Sequence, residues 1–218
     1  MLTDYNIPKT LREIITSYGQ VGEECLCELE NSVRLVPVKK RDAIVCQGEV
    51  CDDIVFNRVG LFRVSNVSDG VEDTLLFGSS GDVFTSLHSY FAKEPSIFSL
   101  VAVEPSEVWL LSYSEFNRIS DKYPEMVRWF RDLLIGQLYC FEKRYLFFNN
   151  KSAEDRFLNF LRLNCDTLRC TSVKYITRIM PLKYIAQYLK ISPFTLSRLR
   201  RKLVLGSLPN KIPTHPDD

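Results

Sequence analysis

The side chains best suited to bind another molecule lie close together near the C-terminal end of the chain, in the run ISPFTLSRLRRKL. They combine hydroxyl, guanidinium and ammonium groups, which donate hydrogen bonds to phosphate oxygens and to the edges of bases. Arg198 can bond a guanine through two hydrogen bonds, whereas Phe194 offers only apolar contact to a thymine methyl group. The candidate contact residues are Ser192, Pro193, Phe194, Thr195, Ser197, Arg198, Arg201 and Lys202.

Two short helices with a tight connection are predicted to position these side chains. The first is predicted from about Pro181 to Leu189, with proline at its first turn, where a missing N–H costs nothing. Lys190 and Ile191 make the turn, and Ser192 is a suitable N-cap for a second helix that starts at Pro193. Apolar residues recur on one face of each helix: Leu182, Ile185, Ala186 and Leu189 on the first, and Leu196, Leu199 and Leu203 on the second. An ordinary helical hairpin with a solvated basic end is the alternative.

Positive charge is concentrated in the same part of the chain. Residues 167–218 hold 10 Lys and Arg against 2 Asp and Glu, whereas residues 1–166 hold 18 against 25. The formal net charge of the 218 residues is therefore only +1, although the cations are segregated at one end, as attraction to a phosphate backbone requires. A ligand-sensing or protein-interaction module, whose basic C-terminal part binds a protein partner, remains the alternative function.

The first 123 residues contain, after a short helical start, several short runs typical of β-strands. The runs are Val33–Val38, Ile54–Phe56, Leu61–Val67, Thr74–Phe77, Phe98–Val103 and Val108–Leu111, punctuated by Gly48, Gly60, Gly70 and Gly81. Pro37 predicts an edge strand or a strand end, because proline cannot donate to a ladder of hydrogen bonds. The pattern predicts a small barrel or jelly roll, and a β-sandwich without a pocket is the alternative.

A long helix is predicted between about Pro124 and Asn149. Its apolar side is wider than packing within one chain needs, so part of it is predicted to face a second copy of the chain. The predicted seam residues are Trp129, Leu133, Leu134 and Phe141. Alternatively, the whole apolar side packs on the chain's own barrel. The predicted fold is α+β: an N-terminal β jelly roll (1–123), a long dimerisation helix (124–150) and a C-terminal helix-turn-helix domain (151–218).

In this order of parts the sequence resembles the Crp/Fnr family of bacterial transcription regulators over nearly its whole length. The motifs that carry the resemblance are IAQYL at 185–189, Ser192, TLSR at 195–198 and, in the barrel, Gly48, Gly60 and Gly81–Asp82. The resemblance implies a barrel like those that bind cyclic nucleotides. It also implies a homodimer that binds a two-fold symmetric promoter site on double-stranded DNA and contacts RNA polymerase.

The predicted DNA-reading helix departs from the family pattern. Family members open this helix with an Arg and a Glu and carry another Arg a turn later, whereas this sequence has Pro193 and Phe194 and keeps only Arg198. The preferred DNA sequence is therefore expected to differ from that of the best-known members. Four residues match family positions that grip phosphates: Ser192, Thr195, Ser197 and Arg201. The Pro-rich stretch 206–218 predicts that a C-terminal wing after this helix is absent or rudimentary.

The predicted effector pocket departs from the family as well. Cyclic-nucleotide-binding members carry a Glu for the ribose and, further along, an Arg for the phosphate, whereas this chain has Ser86 and, near the Arg position, Ser96. Lys93 is a poor substitute for a bidentate guanidinium group. Control by cyclic AMP is therefore not expected, and the identity of any small-molecule effector stays open. The possible pocket residues are Ser86, Leu87, Ser96, Ile97 and Phe141.

Other classes of function fit the sequence less well. The chain has no run of eighteen apolar residues and no export signal in MLTDYNIPKT, so a cytoplasmic protein without membrane contact is expected. Its 7 scattered Cys and 2 His argue against a disulfide framework, a metal site or an iron–sulfur cluster, so no cofactor is expected. Ser86, His88 and Asp82 could be cast as a hydrolytic triad. Without a nucleophile elbow, however, no enzyme activity is expected.

Overall fold

The computed structural model describes residues 7–149, 152–168, 176 and 179–205. The helices in this part of the chain are α1 (Leu11–Tyr18), α2 (Glu23–Ser32), α3 (Tyr113–Lys122), α4 (Glu125–Phe148), α5 (Ala153–Leu168), α6 (Leu182–Leu189) and α7 (Pro193–Val204). The strands are β1 (Arg34–Val38), β2 (Ala43–Val45), β3 (Asp53–Val59), β4 (Phe62–Ser68), β5 (Val71–Gly78), β6 (Val83–Phe84), β7 (Ser99–Ala102) and β8 (Ser106–Ser112). The predicted wing region, 206–218, lies outside the described residues.

Two four-stranded antiparallel sheets pack against each other, which confirms the predicted jelly roll. Their strand orders are β1-β8-β3-β6 and β2-β7-β4-β5. Of the consecutive described strands, β4 and β5 form a hairpin, whereas every other consecutive pair crosses from one sheet to the other, as in a jelly roll. Side chains from both sheets, such as Val55 and Phe62, share one buried cluster. Pro37 lies in β1, at the edge of its sheet, as predicted.

Gly60, in the turn between β3 and β4, is required by the backbone. Its φ is +115°, which side chains other than glycine rarely adopt, and an added Cβ would lie 2.1 Å from Ser106 Oγ. The Asn57 side-chain amide donates to the Gly60 carbonyl (3.0 Å) and fixes the turn. The predicted glycine punctuation therefore has a steric cause at this position.

The long helix α4 matches its predicted ends within one residue, but half of the predicted seam is wrong. Trp129 and Leu133 are 1% and 0% exposed and belong to the core that α4 builds with α1 and β3. The Trp129 indole N–H donates to the Ile15 carbonyl (2.8 Å), which ties α4 to α1. Leu134 is partly buried against the same core. Of the four predicted seam residues, Phe141 is the most exposed, at 66%.

The opposite side of α4 leaves an apolar stripe exposed. We call it the α4 stripe; its members, between 57% and 66% exposed, are Val127, Ile135, Leu138, Phe141 and Tyr145. At 3.6 residues per turn they lie within about a third of the helix circumference. Their near-heptad spacing is the sequence signal that would have separated this side from the buried one.

The C-terminal helices share one hydrophobic core. The buried side chains of this core include Phe157, Phe160 and Leu161 from α5, Ile185 and Leu189 from α6, and Leu196, Leu199 and Leu203 from α7. Leu61 and Val103 from the jelly roll extend the same cluster. One face of helix α7 therefore packs against α5 and α6, and its other face is exposed to solvent.

Helix α6 also docks on the edge of the jelly roll, at strand β5. The Gln187 side chain donates to the Glu72 carbonyl (2.8 Å) and accepts from Thr74 Oγ1 (2.9 Å). The buried Arg63 guanidinium pairs with the Glu72 carboxylate and lies 4.0 Å from the centroid of the Tyr184 ring. These polar contacts fix the C-terminal helices to the sheet that contains β4 and β5.

Candidate functional site

Helix α7 begins where the sequence predicts. Ser192 Oγ accepts a hydrogen bond from the Thr195 backbone N–H (3.0 Å), and Pro193 occupies the first helical position. Lys190 ends α6 with a left-handed φ of 53° and donates its N–H to the Gln187 carbonyl (3.0 Å). The caps on both sides of this tight turn fix the direction in which α7 leaves α6.

The two faces of α7 differ sharply in exposure. Leu196, Leu199 and Leu203 are 1%, 3% and 7% exposed, which confirms the predicted apolar stripe. The residues of the outer face are exposed: Phe194, Ser197, Arg198 and Arg201. Helix α7 is thus buried on one side and carries hydroxyl, guanidinium and aromatic groups on the other. A helix of this kind can enter a groove of a duplex while its packing against the rest of the chain stays intact.

The outer-face cations are free to bind an anion. Within the described part of the chain, neither Arg198 nor Arg201 makes a salt bridge or a side-chain hydrogen bond. Lys202, by contrast, pairs with Glu154 on α5 at 3.2 Å. Arg198 and Arg201 therefore offer guanidinium groups to solvent, whereas Lys202 would have to leave a carboxylate before it could bind a phosphate.

Ser86 and Ser96, the key residues of the predicted effector pocket, lie next to each other. They are 0% and 2% exposed, and Ser86 Oγ donates to Ser96 Oγ at 3.1 Å. Ser96 Oγ donates in turn to the Phe98 carbonyl (2.9 Å). Both serine hydroxyl groups therefore already have hydrogen-bond partners within the chain. The other predicted pocket residues are exposed, with fractions of 38%, 60% and 66% for Leu87, Ile97 and Phe141.

The surroundings of Ser86 are built from neutral hydroxyl groups. The Tyr113 hydroxyl lies 2.8 Å from Thr85 Oγ1 and donates to the Ser86 carbonyl (3.3 Å). Burial raises the pKa of the Tyr113 phenol, so this group stays protonated. The Lys93 ammonium is exposed and lies 5.6 Å from the centroid of the Tyr113 ring, on its apolar face. This arrangement holds no guanidinium group that could pair with a buried phosphate.

The three residues that could have formed a hydrolytic triad bond to other groups. Ser86 bonds Ser96, His88 Nε2 lies 2.8 Å from the Glu94 carboxylate, and Asp82 accepts from the Ser79 backbone N–H (2.6 Å). A triad needs the serine hydroxyl to donate to the histidine, and the histidine to the carboxylate. The geometry at these residues is therefore structural.

Asp82 lies in the turn before β6 and carries an unusual carboxyl group. Burial raises its pKa to about 6, although the hydrogen bonds from Ser79 oppose the shift. Its backbone carbonyl accepts from Asn57 N–H (2.9 Å), so the turn is tied to β3. Asp82 is thus part of the Gly-Asp turn that shapes the jelly roll, and it carries a pH dependence of its own.

Two other kinds of feature are absent from the described residues. No cluster of three or more His, Cys, Asp or Glu among the described residues could hold a metal ion. On α2, Cys25 is buried and Cys27 exposed, so the two thiols point to different sides of the helix. In the described parts of the chain, no helix combines the length and the apolar character needed to cross a membrane.

The jelly roll is similar to a known family of domains. Residues 35–123, from β1 to the end of α3, match the family model named cyclic nucleotide-binding domain. This segment is therefore similar to cyclic nucleotide-binding domains. The match covers the two sheets and stops just before α4. No curated protein sequence matches the chain significantly.

Solved structures extend the likeness beyond residues 35–123. FixK2 from Bradyrhizobium japonicum is 22% identical over 80% of this chain and 86% of its own, with a TM-score of 0.68. CLP from Xanthomonas campestris, a c-di-GMP responsive global regulator, is 13% identical over 86% and 94%, with a TM-score of 0.69. The catabolite activator protein of Thermus thermophilus is 18% identical over 87% of each chain, with a TM-score of 0.52. The chain therefore shares the fold of these three proteins.

Proposed function

We propose that the protein is a DNA-binding transcription regulator that acts as a homodimer on a two-fold symmetric promoter site. The observation that carries this proposal is the outer face of α7, where Arg198 and Arg201 are exposed and unpaired within the described chain. In this proposal α6 and α7 are a helix-turn-helix within a DNA-binding domain at 151–218, and α7 is its recognition helix. The Crp/Fnr fold supports the same function.

The contact residues divide by role in this proposal. Arg198 reads a guanine with two hydrogen bonds in the major groove, because a guanidinium group matches the two acceptors of that base. Ser192, Thr195, Ser197 and Arg201 bind phosphates and set the position of the helix. Lys202 contributes less, since its ammonium group is held by Glu154.

The α4 stripe is the surface through which two copies associate in this proposal. Apolar residues of such size are normally covered, and a two-fold symmetric helix pair would bury the same stripe on both copies. A two-fold DNA reader needs a rigid seam that sets the distance between its recognition helices, and α4, with 24 residues, is long enough to provide one. RNA polymerase is a further proposed partner. The proposed location of the protein is the cytoplasm.

Cyclic AMP is not the controlling ligand in this proposal. Removing a phosphate anion from water costs several kcal/mol unless a cation replaces the water. Ser86 and Ser96 supply only hydroxyl groups, and these already bond each other. Calorimetric titration with cyclic AMP is expected to give no heat of binding at micromolar concentration. Micromolar binding, or a several-fold gain in DNA affinity with the nucleotide, would refute this part of the proposal.

Selection of bound duplexes from random DNA tests the DNA-binding function directly. The full-length protein is expected to enrich an inverted repeat whose half-sites are separated by about one helical turn of DNA. Retention on the selected duplex should fall steeply with salt, because bound cations displace counterions from the phosphates. Recovery of random sequences with no salt dependence would favour a protein partner for the basic end.

A further inference from the structure

Phe194 is the most exposed of the large hydrophobic residues in the described chain, at 83%. Complete burial of a phenylalanine side chain stabilises a fold by about 1.5–3 kcal/mol, and this chain gains little of that free energy at position 194. Three leucines of the same helix are covered almost completely. Nothing in the packing of α5, α6 and α7 therefore accounts for an aromatic ring at residue 194.

The position of Phe194 on α7 points the ring toward the proposed DNA surface. Phe194 is the second residue of a 12-residue helix, and the Ser192 cap and Pro193 hold its first turn rigid. At 3.6 residues per turn, Phe194 shares one face with Arg198 and Arg201. It precedes Arg198 by four residues, about 6 Å along the helix axis, or roughly two base-pair steps.

The chemistry of the ring selects its target. A phenyl group has no hydrogen-bond donor or acceptor, so it cannot pair with the polar edges of guanine, adenine or cytosine. In the major groove the 5-methyl group of thymine is the apolar group that a base presents. A neighbouring guanidinium that pairs with a guanine would hold the ring at a fixed distance from that base.

We propose that Phe194 specifies a thymine in each half-site, about two base pairs from the guanine read by Arg198, through contact between its ring and the 5-methyl group. This inference rests on the proposed DNA-binding function. It gives the operator a thymine and a guanine in fixed register on one face of the major groove. It also gives α7 an apolar reading residue beside its guanidinium.

Substitution of deoxyuridine for thymine tests this contact, because it removes the methyl group and leaves base pairing unchanged. Each thymine of the selected duplex is replaced singly, and affinity is measured by fluorescence anisotropy with the full-length protein. Wild type should lose about fourfold at one position per half-site, the factor that corresponds to one buried methyl-sized group. Phe194→Ala should bind the thymine and deoxyuridine duplexes equally, whereas Phe194→Leu should keep part of the difference.

Matched controls separate the contact from general effects. Arg201→Ala should weaken both duplexes alike and leave the fourfold ratio intact. Because Phe194 is exposed, Phe194→Ala should unfold at the same temperature as wild type, which excludes a folding defect. A fourfold ratio that survives in Phe194→Ala would overturn the inference, since another group would then read the methyl.

Three further outcomes also overturn the inference, and they differ in what they say about the proposed function. Sequence-specific binding without any deoxyuridine effect would leave the DNA-binding function intact and refute only the thymine contact. DNA bending that disappears in Phe194→Ala, again without a deoxyuridine effect, would show that the ring is a wedge between base steps. Absence of sequence-specific binding would refute both the inference and the proposed function.

Discussion

Replacement of Leu138 by Asp is predicted to separate the proposed dimer into folded monomers. Leu138 lies in the middle of the α4 stripe and is 59% exposed in the single chain. Complete burial of a leucine is worth about 1.5–3 kcal/mol, so covering the exposed part yields about 1–2 kcal/mol. Two-fold symmetry doubles this contribution to about 2–4 kcal/mol per dimer.

The dissociation constant of the Leu138→Asp dimer should therefore rise by at least about 30- to 700-fold, since 1.4 kcal/mol corresponds to a factor of ten. The cost of burying two carboxylates without partners adds to this estimate. Sedimentation velocity over a series of protein concentrations measures the shift. Thermal unfolding at low concentration checks that the monomer stays folded, as expected for an exposed position.

Gly136→Asp provides a matched control on the same helix. An added Cβ at Gly136 would meet nothing within 4 Å, and the residue lies on the side of α4 away from Leu138. This variant carries the same new charge and should keep the wild-type association constant. A Leu138→Asp protein that sediments like wild type and like Gly136→Asp would show that the α4 stripe is not the seam.

Two further predictions concern stability. Asp82→Asn should raise the free energy of unfolding near pH 7 by up to about 3 kcal/mol and have little effect near pH 4. The native pKa of about 6 lies above the ordinary 3.8, so the native state binds the proton more tightly, and this contribution to stability is lost as pH rises from about 4 to 6. Urea unfolding of both proteins near pH 4 and near pH 7 tests the sign of this effect. An equal change in the free energy of unfolding at the two pH values would contradict the prediction. Gln187→Ala should cost about 1–3 kcal/mol of unfolding free energy, because it leaves the buried Thr74 hydroxyl and the Glu72 carbonyl without their α6 partner. Lys183→Ala, which removes only an exposed 3.9 Å pair with Glu72, should cost almost nothing, and equal losses would refute the role of the Gln187 amide.

The C-terminal helices could be predicted because their signals are local. A serine cap followed by proline starts α7, and leucines at three- and four-residue spacing define its buried side. The structure places these groups where the sequence does, and the two ends of α6 and the start of α7 differ little from expectation. The jelly roll was predictable for a similar reason, since glycine turns such as Gly60 are required by backbone geometry.

Short elements were missed because they carry too little pattern. Strand β6 has two residues and β2 has three, so each spans at most one and a half periods of the two-residue strand alternation, too few to establish a pattern. Helix α3 was missed although Ser112 caps it by accepting from Glu115 N–H (3.2 Å). Its signal lies directly after β8, with no intervening turn residues to separate helix from strand.

Trp129 and Leu133 were misassigned to the seam because their environment depends on distant parts of the chain. Trp129 and Leu133 are covered by α1, more than a hundred residues earlier, and their periodicity alone does not distinguish a chain's own core from a partner. The contact between Ser86 and Ser96 has the same character. Two serines ten residues apart become hydrogen-bond partners only when the turn between β6 and β7 folds back.

The central claim is that the outer face of α7 reads DNA, and a comparison of Arg198→Ala with Arg201→Ala tests it most directly. Affinity for the selected duplex and for random duplex DNA is measured for both variants at several salt concentrations. Arg198→Ala should lose about 1–3 kcal/mol on the selected duplex and much less on random DNA, with preference relaxed at one base pair per half-site. Arg201→Ala should weaken both duplexes nearly equally and reduce the salt dependence by about one counterion per copy. Equal losses on both duplexes for Arg198→Ala, or full affinity in both variants, would contradict the account.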